Sequence, residues 1–596
     1  MGKEDSVNKK KLTINETLAL AWQKHKVNDL NTAEKLYKEI LRIRPDNFQS
    51  LFLLGSLSAQ TKRFNNAKKL LSKAVQINPK HLAGLNNLGN VLKELGETKN
   101  AIDCYQTAIK IDPNYADAHN NFGNVLKEQG EQKKAIECYR KAIELNPNYA
   151  DAFNNLGVIL KESGEYKKAV DCYEKALKLQ PNKINVYNNL GIIFQEYGEM
   201  EKAINCYKQL AQIQPNSAYA HQNLGRLYIV LGDITKAIES YSEALKFDQD
   251  NLVYYYHLTN LKKEILNSTL KEKIGKILAT ENCTKKNKAY GNFLLSKFEL
   301  INKNYKQELH YLLKGHQLFL ESKETKINRQ IQYWLKELPE QKELINFNTT
   351  KKIIKKNTYQ IQPIFIVGVP RCGSTLVEKI IASGKKSIPT GEEVGVIGTF
   401  IKKMLVKKQS LNFEIQDFQI KLSKIYEQKN LIKKESNYTF TDKTLDNFFY
   451  IAFIKEIFPN AKIINCKRSA LSSIMSILQN NLPAVPWAHD LDHIFQYFDI
   501  YYNQINKFKK KFPNFIYELE LDNLINDPVK ESQSLMNFCG LKWDKKCLEF
   551  YKRKDLLSKT TSNIQIRKAI NKGSVNKYLP YKQLLIKYGE KYNWFS

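Results

Sequence analysis

The sequence predicts a two-part molecule, an α-solenoid of helical repeats followed by an α/β domain built on a parallel sheet. Three observations carry that prediction. A pattern of Gly, Ala and Pro recurs every 34 residues through the first 250 positions. An apolar run at 363–367 leads through a glycine loop into a helical pattern at 376–382. At 596 residues the chain exceeds a single core of about 100–200 residues, and 42% hydrophobic against 26% charged residues is globular composition.

The repeats come first. Gly55, Gly89, Gly123, Gly157, Gly191 and Gly225 stand in register, as do Ala33, Ala67, Ala101, Ala135, Ala169, Ala203 and Ala237. Pro45, Pro79, Pro113, Pro147, Pro181 and Pro215 close successive units, and Gln249 takes that place in the seventh. Within a unit, apolar residues fall at helical spacing on two segments, as at 118–127 and 134–145. Small residues let two helices approach closely, and Pro ends the second. The seven units, 13–250, follow an N-terminal tail at 1–12 and resemble the tetratricopeptide repeat. That resemblance implies an α-solenoid with a long concave surface.

Asn87, Asn121, Asn155, Asn189 and Asn223 form a further column at the same period, mostly preceded by a second Asn. Asn is a mediocre helix former and gains nothing from burial. Two readings stand. The amides bridge neighbouring repeats, or they line the groove and hold the backbone of an extended peptide or protein. The second resembles the asparagine ladder of the O-linked N-acetylglucosamine transferase superhelix.

From 251 to 356 the register fades into a helical connector with degenerate repeats, with helical patterns at 254–256, 261–266 and 293–319. Cys104, Cys138, Cys172 and Cys206 are one repeated position, and nine cysteines argue against a disulfide framework. The sequence lacks a run of about 18 apolar residues and a secretory signal, so a cytoplasmic protein without a membrane span is expected. The net charge of +32 comes from Lys scattered along the chain, without an Arg-rich arm or stacking platform, so nucleic acid is not an expected partner.

The domain at 357–596 opens with the buried-strand pattern at 363–367, then Gly368-Val369-Pro370-Arg371-Cys372-Gly373-Ser374-Thr375. Strand, glycine loop and helix aim backbone N–H groups at an anion. The spacing is that of a P-loop, but Ser374 stands where a nucleoside-triphosphate site carries Lys, which removes support for ATP or GTP hydrolysis.

Residues 370–376 resemble the phosphosulfate-binding loop of sulfotransferases, in particular tyrosylprotein sulfotransferases and bacterial tetratricopeptide–sulfotransferase fusions. The resemblance implies an α/β P-loop-like domain and a sulfuryl donor, 3′-phosphoadenosine 5′-phosphosulfate (PAPS), with no metal. It places Arg371, Cys372, Gly373, Ser374 and Thr375 on the 5′-phosphosulfate, and Arg468 with Ser476 on the 3′-phosphate. Asn563 and Lys577 fall at phosphate-contact positions of a C-terminal loop, with Arg567 and Lys568 between them. Leu521 replaces a family Tyr, and Gly395 replaces an Arg of the animal enzymes.

By the same resemblance Glu393, or its neighbour Glu392, is the catalytic base, and Lys443 stabilises the transition state. Glu at about 4.3 against a tyrosine hydroxyl at about 10 puts full proton transfer at roughly 8 kcal/mol, so the proton must move as the O–S bond forms. The expected activity is PAPS-dependent sulfotransfer to a hydroxyl, with protein tyrosine presented by the array among the acceptors. The alternatives are a non-catalytic repeat scaffold and a P-loop phosphotransferase. His489 and His493 have metal-ligand spacing, but Pro486 and Trp487 before them point to a pocket edge or helix cap.

Overall fold

The computed structural model describes residues 12–323, 325–341, 361–406, 415–432, 438–553, 555–556, 565–570 and 577–595. It has two compact units, Met1–Ile213 and Gln214–Ser596.

The first unit is built of helix pairs, from Ile14–Lys26 with Leu30–Ile43 to Ile184–Tyr197 with Met200–Ile213. Thr13 starts the array with a reciprocal cap, its hydroxyl accepting from the Glu16 N–H while the Glu16 carboxylate accepts from the Thr13 N–H. The period-34 glycines follow from packing. A Cβ on Gly123 would lie 2.8 Å from the Tyr139 ring, and one on Gly89 would lie 2.6 Å from Tyr105. Those tyrosines are fully buried, so neither partner can yield. A second glycine, as at Gly130 with φ +81°, ends the first helix of the third to sixth pairs in the left-handed conformation, and Asn28 and Lys62 take that place in the first two. Each second helix stops in extended backbone before its proline, as at Asn146 with φ −134°.

In the second unit the seventh pair, Ala218–Leu231 and Ile234–Phe247, is followed by Leu252–Leu261 and Ser268–Leu278. A hairpin of two 17-residue helices comes next, Lys285–Ile301 and Tyr305–Glu321. Thr325–Gln332 then runs into a π-helical turn, Tyr333–Glu337, so the solenoid reaches residue 337. The helix expected at 261–266 is instead broken. Lys262 is extended at φ −136°, and only a 3-10 turn, Lys263–Ile265, intervenes before Asn267 caps the next helix.

Among the described residues the α/β portion holds four parallel strands, β1 (Gln362–Gly368), β2 (Thr439–Asp442), β3 (Lys462–Lys467) and β4 (Ile516–Glu520), in the order β2-β1-β3-β4. Ile364, Phe365, Ile366 and Val367 are fully buried, as expected of a strand covered on both faces. Phe365 lies opposite Asp442, and Gly368 lies opposite Cys466. The carboxyl ends of β1, β2 and β3 therefore meet at one edge, with β1 between strands reached in opposite directions. That is the crevice where ligands bind open α/β sheets.

Candidate functional site

The loop after β1 is shaped by backbone that side chains resist. Arg371 and Gly373 have φ of +71° and +95°. A Cβ on Gly373 would come within 2.6 Å of the Leu521 side chain, so Leu521 packs against this turn. The helix Ser374–Ala382 starts directly afterwards, and Ser374 and Thr375 are buried at its first turn. Cys372 points the other way. Its thiol is buried and faces Cys466 on β3, whose hydrogen bond pulls it below the usual thiol range. Any part Cys372 takes in ligand binding is therefore through its backbone.

Beside this loop three predicted residues converge. Arg371 Nε donates to Ser476 Oγ at 3.0 Å. Burial, with the charge of Arg468 added to it, pulls the Arg371 guanidinium below its usual value. Arg468 sits 5.9 Å from the Tyr578 ring, and its Nε is buried with no hydrogen-bond partner among the described residues. Lys577 Nζ lies 4.9 Å from the centroid of the same Tyr578 ring. Asn563 lies outside the described residues.

A second cluster forms where residues 389–393 run alongside β2. Gly391 N–H donates to Thr441 O at 2.9 Å, and Lys443 N–H donates to Glu392 O at 2.8 Å. A Cβ on Gly391 would collide with Thr441 O, so glycine is required there. Glu392, left-handed at φ +45°, turns its carboxylate onto Lys379 at 3.3 Å. Its N–H donates to Glu378 Oε1 at 3.0 Å, and the same oxygen accepts from Thr441 Oγ1 at 2.8 Å. Glu378 is fully buried, and burial pushes its carboxyl above the usual range.

Glu393 differs from its neighbour. Its side chain is 57% exposed, and Oε1 lies 3.3 Å from Lys443 Nζ, which is fully buried. Burial works against the Lys443 charge, yet the surrounding Glu393, Glu378 and Glu392 outweigh it and raise the lysine above its usual range. One carboxylate of the Gly-Glu-Glu segment is thus enclosed on a buried lysine, and the other is open to solvent.

Residues 363–545 match the sequence model of the sulfotransferase family, and tetratricopeptide-repeat models match 48–81, 89–130, 123–164, 150–183, 172–205 and 218–251. The C-terminal portion is a sulfotransferase-family domain. An uncharacterised protein of Aquifex aeolicus is 30% identical over 319 residues, covering 50% of this chain and 41% of its own length. This chain therefore spans about two fifths of that curated relative. Among solved structures, MamA is 30% identical with a TM-score of 0.25, covering 28% of this chain and 97% of that one. A tetratricopeptide repeat protein from Parabacteroides merdae is 19% identical with a TM-score of 0.34, covering 43% and 99%.

Within the sulfotransferase-family domain, Glu378 and Lys379 escaped the sequence reading. The available signal was a Glu-Lys pair inside an otherwise apolar helix, where charge is kept only if partnered. Asp442, at the end of β2, accepts from Tyr426, Thr444 and Asn447. His489 is buried against His316, Nδ1 to Nδ1 at 2.9 Å, and each ring's Nε2 faces a backbone carbonyl. His493 lies 3.6 Å from Asp490.

In the repeats, Asn87 donates to Ser56, Asn121 to Asn86, Asn155 to Asn120 and Asn189 to Asn154. These four amides tie each unit to the one before it. Asn223 donates instead to Tyr219 O within its own helix and accepts from Arg226. Among the described residues no helix is long and apolar enough to cross a membrane.

Proposed function

We propose that this chain transfers a sulfuryl group from PAPS to an acceptor hydroxyl. The observation that carries the reading is the Arg371–Ser476–Arg468 cluster beside a glycine turn that lacks the P-loop lysine. Two guanidiniums held close together, one with a buried Nε that has no partner among the described residues, are stabilised by an anion bearing several oxygens. The donor supplies the reactive S–O bond and a bisphosphate leaving group. Glycine-turn amides and the N-terminus of the helix Ser374–Ala382 suit its 5′ end, and Arg468 with Ser476 suits its 3′-phosphate.

Glu393 is the base in this reading. It reaches solvent, whereas Glu392 is enclosed by Lys379. Glu393 accepts the hydroxyl proton as the new O–S bond forms. Lys443, charged and next to the loop strand, offsets negative charge that gathers on the departing oxygen. The phosphotransferase alternative is disfavoured by Asp442, whose position suits a magnesium ligand but whose oxygens are occupied by Tyr426, Thr444 and Asn447.

The repeat array presents the acceptor, and we assign a peptide or protein to its groove, with tyrosine as the acceptor residue. The inter-repeat amide bonds leave each Asn oxygen a lone pair for such a chain. The test of the reaction is binding of adenosine 3′,5′-bisphosphate against magnesium-ATP by the purified chain. Preference for the bisphosphate, lost in Arg468→Ala, supports the reading. Preference for magnesium-ATP overturns it.

A further inference from the structure

The repeats contain their own controls. Gly96, Gly130, Gly164, Gly198 and Gly232 end equivalent helices with φ between +77° and +82°. A Cβ added at any of the first four meets nothing within 4 Å, whereas at Gly232 it would collide with the Arg567 guanidinium. Arg567 Nη2 also donates to Val230 O at 3.0 Å. That carbonyl belongs to the last turn of Ala218–Leu231, the negative end of the helix dipole. One repeat of the series thus receives a cation from the C-terminal segment, in a contact that costs the guanidinium much of its hydration and pulls its pKa down.

The turn that carries Arg567, Gln565–Arg567, packs on the helix Ser374–Ala382 that opens at the glycine loop, with Ile566 buried. Further along, the Tyr581 hydroxyl bonds the Glu308 carboxylate on the connector hairpin, in a buried contact. Glu308 also accepts from Gln479 at 2.8 Å, and Gln479 accepts from Tyr578 at 3.3 Å. Tyr578 is the ring beside Arg468. Of the two described stretches, the one packed on the glycine-loop helix is held by a repeat, and the one beside Arg468 is held by the connector.

We infer that Arg567 and Tyr581 are positioning residues that fasten the C-terminal segment to the seventh repeat and the connector, making donor affinity depend on helices outside the sulfotransferase-family domain. The inference rests on the sulfotransfer reading above. Its consequence is that a ligand shifting the end of the seventh repeat's first helix alters donor binding without touching the donor.

The experiment is titration of the full chain and its variants with adenosine 3′,5′-bisphosphate, alongside steady-state kinetics. Gly232→Ala and Arg567→Ala are expected to weaken bisphosphate binding about tenfold or more, the scale of a lost charge-assisted hydrogen bond. They raise the donor KM while kcat at saturating donor and the acceptor KM stay in place. Gly198→Ala imposes the same backbone strain with no side chain above it and is expected to bind like wild type. Arg567→Lys is expected to recover part of the loss, and Tyr581→Phe to weaken binding in the same direction as Arg567→Ala. The inference is overturned if folded Gly232→Ala and Arg567→Ala bind like wild type, or if Gly198→Ala loses as much as Gly232→Ala. A wild-type chain that binds no bisphosphate instead removes the sulfotransfer reading beneath it.

Discussion

Glu392 and Glu393 are adjacent, yet their surroundings differ, 14% against 57% side-chain exposure. Glu393→Gln is expected to lower kcat by about 10²–10⁴ and, because it also takes the nearest carboxylate from buried Lys443, to lower the melting temperature. Glu392→Gln breaks a contact to a buried lysine and is expected to lower the melting temperature as well as activity. Glu378→Leu orphans the Glu392 N–H and the Thr441 hydroxyl, at about 1–3 kcal/mol for an unsatisfied buried group, measurable by urea denaturation. Lys443 gives the pH dependence. Its pKa in the folded chain lies above the ordinary lysine value, so its charge stabilises the fold fully below about pH 10.4. That contribution is lost as pH rises through the folded value. Wild-type stability is therefore expected to fall more steeply in that alkaline window than Lys443→Met stability, in a urea series at stepped pH.

At the scale of elements, the helices of the repeats were legible because each unit repeats the same packing problem. Gly123 and Tyr139 sit 16 residues apart in a fixed relation, and the sequence displays that relation in successive units. Two kinds of glycine are expected to respond differently to substitution. Gly123→Ala drives a methyl into the Tyr139 ring and is expected to cost about 1–3 kcal/mol. Gly130→Ala meets open space and is expected to cost about 1–2 kcal/mol from its left-handed backbone alone. Adding Tyr139→Leu should relieve the first cost and not the second, a comparison made by double-mutant denaturation. The alignment of 389–393 with β2 was not legible. It depends on one glycine against a carbonyl and one buried carboxylate, and neither has a periodic signature.

Across the whole molecule, local chemistry was readable and long-range pairing was not. The glycine turn, the Arg468–Ser476 spacing of eight and the Gly-Glu-Glu segment are each contained in a short stretch of sequence. The bond from Arg371 to Ser476 spans 105 positions, that from Arg567 to Val230 spans 337, and that from His316 to His489 spans 173. No spacing rule reaches that far, because such pairs are set by the folded core and not by a helix or strand period. The asparagine column shows the same limit in reverse. Its period was plain, while the partner of each amide, the preceding repeat for four of them and its own helix for Asn223, became visible only in three dimensions. The most direct measurement of the central claim is transfer of radiolabelled sulfuryl from PAPS to a protein lysate by wild type and Glu393→Gln. Labelled protein is expected with wild type, at least about a hundredfold less with the variant, and retained bisphosphate binding by both. Equal labelling by the two, or no labelling beside phosphoryl transfer from magnesium-ATP, would contradict it.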